Sequence, residues 1–277
     1  MGEKVIYFYT CLGPNCKDYA EFLRKTCEAT KSGGHDIRYC AVESVGCDGV
    51  PDGWEYSGVG EDYGHSSKNH ASAINTAVFH FQQVRNTGDV FILCDADMVI
   101  LERGWDLHCN LRSRECFGVS NGDSRSRYVD FPTVYFMATT AAWAFDFVPD
   151  ICGESPKRIT REEAVSRYCG AEQFVGANKT IKCDTGWLMP RGSWSLDAVT
   201  ALPRIWSRDP AAKLPFKNDA MRARCLAKKE HQCEWHHNGQ LFASHKQACR
   251  SHSLHGSQEG RDWYWRVNEW MNSEGLI

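Results

Sequence analysis

No run in this sequence approaches the roughly 18 uncharged apolar residues that a spanning helix needs, so no membrane span is expected. The apolar stretch near the start is too short for a secretory signal. The sixth residue, Ile6, is not the Ser or Thr that myristoylation after Met-Gly requires. A cytoplasmic chain is therefore the expectation. An excess of positive charge is also missing: at a formal net charge of −3 the chain builds no broad field for non-specific nucleic-acid binding, although a local basic groove stays open. Internal repeats and low-complexity segments are absent too.

What is present suits a globular enzyme-sized chain. The 277 residues are 42% hydrophobic and 24% charged, enough to bury a full core and too apolar for general disorder. Fourteen cysteines are scattered rather than set in a compact framework. In a reducing compartment most should be buried thiols, with any close Cys/His group a metal candidate.

Residues 4–10 run apolar and aromatic, predicting a buried first strand. From Asp18, Tyr19, Phe22, Leu23 and Cys27 fall on one helical face, and residues 36–43 (DIRYCAVE) predict a second strand. Residues 46–67 are rich in Gly, Ser and Asp without a sustained period, predicting a surface loop. Ala71, Ile74, Ala77, Val78, Phe81 and Val84 recur at helical spacing over residues 68–84, and VFILC (90–94) predicts a strand buried on both faces. Further strands are expected at 117–119 and 134–138, and a helix at 161–168.

Alternation of strand and helix gives an α/β fold class, with a mostly parallel central sheet flanked by helices and ligands beyond the carboxyl ends of the strands. Six of the eleven histidines lie between His231 and His255. Residues 1–219 therefore read as a catalytic domain, divided near residue 120. Residues 220–277 read as a His/Cys-rich C-terminal extension packed on it.

Cys94-Asp95-Ala96-Asp97 carries the strongest chemical signal. Two carboxylates at alternate positions just past a buried strand cannot be satisfied by apolar packing and call for a cation. A divalent ion with oxygen ligands could bridge them to a diphosphate. Taken alone, an Asp-X-Asp is a weak motif and often a solvated turn.

The run DVFILCDADMVILERGWD (89–106), with the preceding SSKNHASAINTAVFHF (66–81), resembles the GT-A fold glycosyltransferases, whose Asp-X-Asp motif closes a central strand. The resemblance covers about residues 4–120 and implies a metal-dependent enzyme that moves a sugar from a nucleotide diphosphate donor, uridine diphosphate by preference. It implies that Asp97 holds Mn2+ or Mg2+ directly, and that Asp95 reaches the ribose or the metal through water. Thr10 and Glu43, at the ends of the first two strands, stand where the family grips base and ribose; Lys68, Asn69 and Asn75 are further donor-site candidates. It also implies a late histidine as an extra metal ligand. His255, followed by Gly256 and by Ser257 as a candidate phosphate contact, is the first choice, with His252 or His245 next.

An inverting transfer needs a carboxylate base. Asp184, in KCDTGWLMPRG beside Trp187, is the first candidate; Glu172 and Asp130 are weaker. Asp184 could equally cap the turn before Gly186. Cys233-x2-His236 and Cys249-x2-His252 have the ligand types of a structural Zn2+ site, against the alternative of buried thiols and surface histidines. The acceptor is open: a glycan, a protein, a small molecule or a modified nucleic-acid base. Two rival functions are a sugar nucleotidyltransferase, although the YTCLGPNCKDY loop is poor in Gly for gripping phosphate, and a zinc-stabilised module that binds carbohydrate or nucleic acid without turnover.

Overall fold

A computed structural model describes residues 4–64, 66–113, 115–120, 131–140, 158–167, 179–182, 196–227, 232–247 and 249–277. It has a mixed α/β architecture with a mostly parallel central sheet. Strand β1 (Val5–Leu12) is followed by helix α1 (Lys17–Thr30), β2 (Asp36–Glu43), β3 (Glu55–Val59), helix α2 (Ser66–Val84) and β4 (Val90–Asp95). Then come the short β5 (Met98–Ile100), a 3-10 turn at Trp105–Cys109, β6 (Cys116–Val119) and β7 (Phe136–Thr140).

Among the described residues, β8 (Arg158–Thr160) and β9 (Thr180–Lys182) pair with each other, and seven strands form the main sheet in the order β10-β6-β7-β4-β1-β2-β3, where β10 is Val199–Leu202. Strands β1 to β4 are mutually parallel, and β7 runs antiparallel to both β4 and β6. The chain therefore grows one way from β1 to β2 and β3, then jumps to the other side of β1 to lay down β4. Such a reversal opens a crevice at the carboxyl ends of the two central strands.

Burial explains why the central strands are so apolar. Along β1, Ile6, Phe8 and Leu12 face α1 and its Phe22, Leu23 and Cys27, while Tyr7, Tyr9 and Cys11 face α2 and its Ala73, Ile74, Ala77 and Phe81. In β4, Val90, Ile92 and Cys94 join the first core, Phe91 and Leu93 the second. With both faces covered, alternation gives way to a continuous apolar run. Each fully buried side chain of this kind contributes about 1.5–3 kcal/mol.

A second, antiparallel sheet runs β11-β12-β13-β5, with β11 at Arg204–Trp206, β12 at Cys233–His237 and β13 at Gln240–His245. Its β12–β13 hairpin turns through Asn238 (φ 49°) and Gly239 (φ 77°), the left-handed pair that a tight two-residue hairpin needs. The C-terminal stretch thus shares a sheet with β5. Helix Gln258–Ser273 covers it with Trp263, Val267 and Met271. Its Arg266 is fully buried and bonds Glu234 (3.4 Å), Gln232 (3.0 Å) and the Leu214 carbonyl (2.8 Å).

Differences from the sequence expectations are local. Residues 55–59 are not loop but the edge strand β3; its EYSGV sequence is polar because only Ser57 is buried. Strand β7 lies about two residues later than the hydrophobic run suggests. No described cysteine is in a disulfide, and all of them except Cys47 are buried.

Candidate metal and donor site

Asp95 ends β4, and Ala96-Asp97 form the turn that carries the chain from the main sheet into β5 of the second sheet. The antiparallel register of β13 on β5 sets His245 opposite Met98, and the Lys246 N–H donates to the Asp97 carbonyl (3.0 Å). That register delivers the His245 ring to Asp97, with Nε2 2.8 Å from Oδ1. Ser244, the residue before it, accepts from Trp263 Nε1 (2.9 Å) and donates to the Cys233 carbonyl (3.2 Å), so the strand end is pinned from behind.

Asp97 and His245 are both buried, at 4% and 2% exposure. Burial by itself would raise the Asp97 carboxyl, but His245 and the Cys249 backbone N–H at 3.1 Å hold it far below the usual carboxylate range. Burial would likewise discourage charge on His245, and the Asp97 carboxylate outweighs it, pushing the imidazole up to about 10. Asp95 is half-buried and has His70 Nε2, from α2, 3.4 Å from its Oδ1.

The ligating atoms of Asp95, Asp97 and His245 lie within 4.8 Å of one another. They line a cavity of about 270 Å³ together with Cys11, Cys16, His70, Ala96, Tyr135, Gln247 and Cys249. The cavity sits beyond the carboxyl ends of β1 and β4, in the crevice that the strand order creates. Two carboxylates and one imidazole, with buried charge among them, are a donor set for a divalent ion such as Mn2+. The residues therefore fit the metal that the Asp-X-Asp pattern calls for.

The other expected site residues fall differently. Thr10 is fully buried one position before the lining residue Cys11. Glu43 ends β2 and its carbonyl accepts from the Gly60 N–H (2.8 Å). The Asn69 side chain ties down the loop before α2, accepting from the Tyr63 N–H (2.7 Å) and donating to Asp62 (3.1 Å). Lys68 and Asn75 sit on α2, outside the cavity lining, whereas His70 on the same helix reaches it. Asp184, Glu172 and Asp130 lie outside the described residues.

His255 is not beside Asp97. It is exposed just before the last helix, its ring on Tyr264 (4.9 Å) and its carbonyl bonded by Arg261 (2.8 Å), while Ser257 caps that helix through the Gly260 N–H (3.0 Å). Sheet pairing, which His255 lacks, is what brings His245 in.

The four Cys/His positions of the expected zinc site do not share a ligand group among the described residues. Cys233 is in extended β12, where a Cys-x2-His spacing is spread at about 3.3 Å per residue. His236 bonds Glu234 (3.2 Å), Cys249 Sγ lies 3.3 Å from Cys16 Sγ, and His252 is exposed.

No family model and no curated protein matches this chain. One solved structure with some likeness is the mannosyltransferase PcManGT from Pyrobaculum calidifontis, in complex with GDP-Man and Mn2+: 12% identity, TM-score 0.40, covering 83% of this chain and 65% of that one, short of two thirds of its length. A likeness so loose fixes neither the fold nor the chemistry of this chain. No helix among the described residues is long and apolar enough to cross a membrane.

Proposed function

We propose that this chain is a metal-dependent glycosyltransferase that moves a sugar from a nucleotide diphosphate donor to an acceptor hydroxyl. The observation that carries it is the convergence of Asp95, Asp97 and His245 at the cavity where the strand order reverses. Asp97 and His245 would hold Mn2+ or Mg2+, with Asp95 a third ligand or a ribose contact. When bound, the ion supplies Lewis-acid stabilisation of the departing diphosphate. His245, neutral as a ligand, adds a donor without adding negative charge opposite the phosphates.

The chain's own residues set the rest. Cys249 donates its backbone N–H to Asp97 and keeps that carboxylate oriented. Tyr135 packs its ring against His245 at 4.5 Å and walls one side of the cavity. Glu43, Lys68, Asn69 and Asn75 are proposed as outer contacts for the nucleoside, uridine by preference, with the buried Thr10 acting only through its neighbour Cys11, and Asp184 as the base if the reaction inverts. These assignments rest on the sequence resemblance.

A panel of uridine, guanosine, adenosine and cytidine diphosphate sugars, assayed for hydrolysis with Mn2+ and for thermal stabilisation, tests the reading. Turnover of one donor, dependent on Mn2+, is expected. A panel in which no member is hydrolysed and none stabilises the protein would overturn it.

A further inference from the structure

We propose that Glu102, His108 and His237 form a second metal site, structural in role and selective for Zn2+ over Mn2+ or Mg2+. It does not rest on the transfer reaction. Glu102 lies two residues past β5, His108 is on the 3-10 turn Trp105–Cys109, and His237 ends β12 at the hairpin turn. Three separate segments thus bring metal-ligating side chains to one point.

The distances suit one small ion. Glu102 Oε2 is 3.1 Å from His108 Nε2, and Glu102 Oε1 is 3.1 Å from His237 Nδ1. A ligating atom from each of the three residues lies within 4.8 Å of the other two. Around a tetrahedral zinc with bonds of about 2.0–2.2 Å, neighbouring ligand atoms stand roughly 3.3–3.6 Å apart. Ligands already that close need only small rotations to turn their lone pairs to a common centre.

The ring orientations are set from outside. His108 stacks on Phe117 (4.7 Å, 21°), and the two imidazoles meet edge to face at 4.4 Å and 83°. His237 Nε2 is 3.2 Å from the Asn238 side-chain nitrogen Nδ2. With Nδ1 on a metal, Nε2 would carry the proton, and turning the Asn238 amide over would bring its oxygen in to accept it, the outer-shell bond that fixes the tautomer of a ligating histidine.

Chemistry selects the ion. Two imidazoles and one carboxylate are softer than the two carboxylates and one imidazole at Asp95, Asp97 and His245, and favour zinc over the oxygen-seeking Mn2+ and Mg2+. Both histidine side chains are 22% exposed, leaving room for water in the fourth position; structural zinc usually has four protein ligands, so the role is read from the site's place and not from a closed shell. The structural role follows from place. The Leu101 and Glu102 N–H groups both donate to the Phe242 carbonyl of β13 (2.8 and 3.2 Å), and an ion here would fasten the hairpin tip to the segment leaving the Asp-X-Asp turn.

The test uses full-length Asp97→Asn, in which the first site is disabled, stripped with a strong chelator and titrated calorimetrically with Zn2+. One equivalent should bind, at least about a hundredfold tighter than in Asp97→Asn/His237→Gln, and raise the melting midpoint. X-ray absorption of the wild-type protein loaded with one equivalent should show two imidazoles and no sulfur, a result that needs no variant to fold. Absence of zinc binding, equal binding in the double variant, or a sulfur-containing shell would each overturn the proposal; the last would return zinc to the cysteines.

Discussion

The two groups of ligating side chains stand at opposite ends of one hairpin and differ in almost everything else. At the His245 end of β13, the partner carboxylate Asp97 is buried, two acids outnumber one imidazole, and the group lines a cavity. At the His237 end of β12, one acid sits between two imidazoles and the cluster is partly exposed. Buried excess negative charge is tolerable only where a cation compensates it, whereas a partly exposed cluster with a single acid can sit quietly as a brace. The same hairpin serves both because its register fixes both ends at once.

Breaking the first end should have the largest effect. Asp97→Ala should lower metal-dependent donor turnover by about a thousandfold or more, equivalent to losing roughly 4 kcal/mol of transition-state stabilisation. Circular dichroism should show the fold retained, and undiminished turnover would remove the site from the reaction. Next in size is His245→Ala, which leaves a buried carboxylate uncompensated. Metal-free protein should lose about 3–5 kcal/mol in denaturant melts, with part restored by saturating Mn2+; a loss untouched by Mn2+ would break the metal reading of that end.

The second end should respond more mildly and to a different ion. Glu102→Gln should abolish the rise in melting midpoint on zinc addition while the rise on manganese addition persists. Loss of both responses together would mean that the two clusters are one coupled unit rather than two. The smallest effect sharpens the contrast through Asp106, on the turn that presents His108. Its carboxylate accepts from the Ser32 N–H (2.6 Å), Ser32 Oγ (2.6 Å) and His35 (3.1 Å). Burial raises this carboxyl, but the Ser32 and His35 donors outweigh it and hold it below the usual range. A depressed folded value means that its stabilisation is present above the ordinary aspartate value near pH 3.9 and is lost as pH falls through the lower folded one. Asp106→Asn should therefore cost about 1–3 kcal/mol at pH 7, with the gap to wild type narrowing as pH is taken from 5 to 2 in thermal melts.

How much of this was legible in the sequence depends on distance along the chain. Strands β1, β2 and β4 and helices α1 and α2 show in the sequence because their apolar patterns are local: β1 and β4 are nearly fully buried, and the helices bury one face. The pair Asp95 and Asp97 stood out for the same reason. Strand β3 did not, since an edge strand that buries little carries no apolar pattern. His245 is 148 positions from Asp97, and no local pattern encodes such a pairing. A faint signal existed: Asn238-Gly239 followed by the apolar Leu241-Phe242-Ala243 marks a hairpin whose second strand ends on His245. Local sequence favours the exposed His255 instead, because a following glycine is a local feature and sheet register is not.

That long separation has a consequence for how the protein is made. At the usual 5–20 residues per second, the ribosome needs about 7 to 30 s to pass from Asp97 to its histidine. The nascent β1, β2 and β4 can collapse around their apolar faces well before then, but the acidic turn must stay in water until the hairpin emerges and docks. Closing so long a loop is slow compared with local pairing. The cavity is thus assembled last, and an interrupted chain can own most of the central sheet without owning its metal ligands.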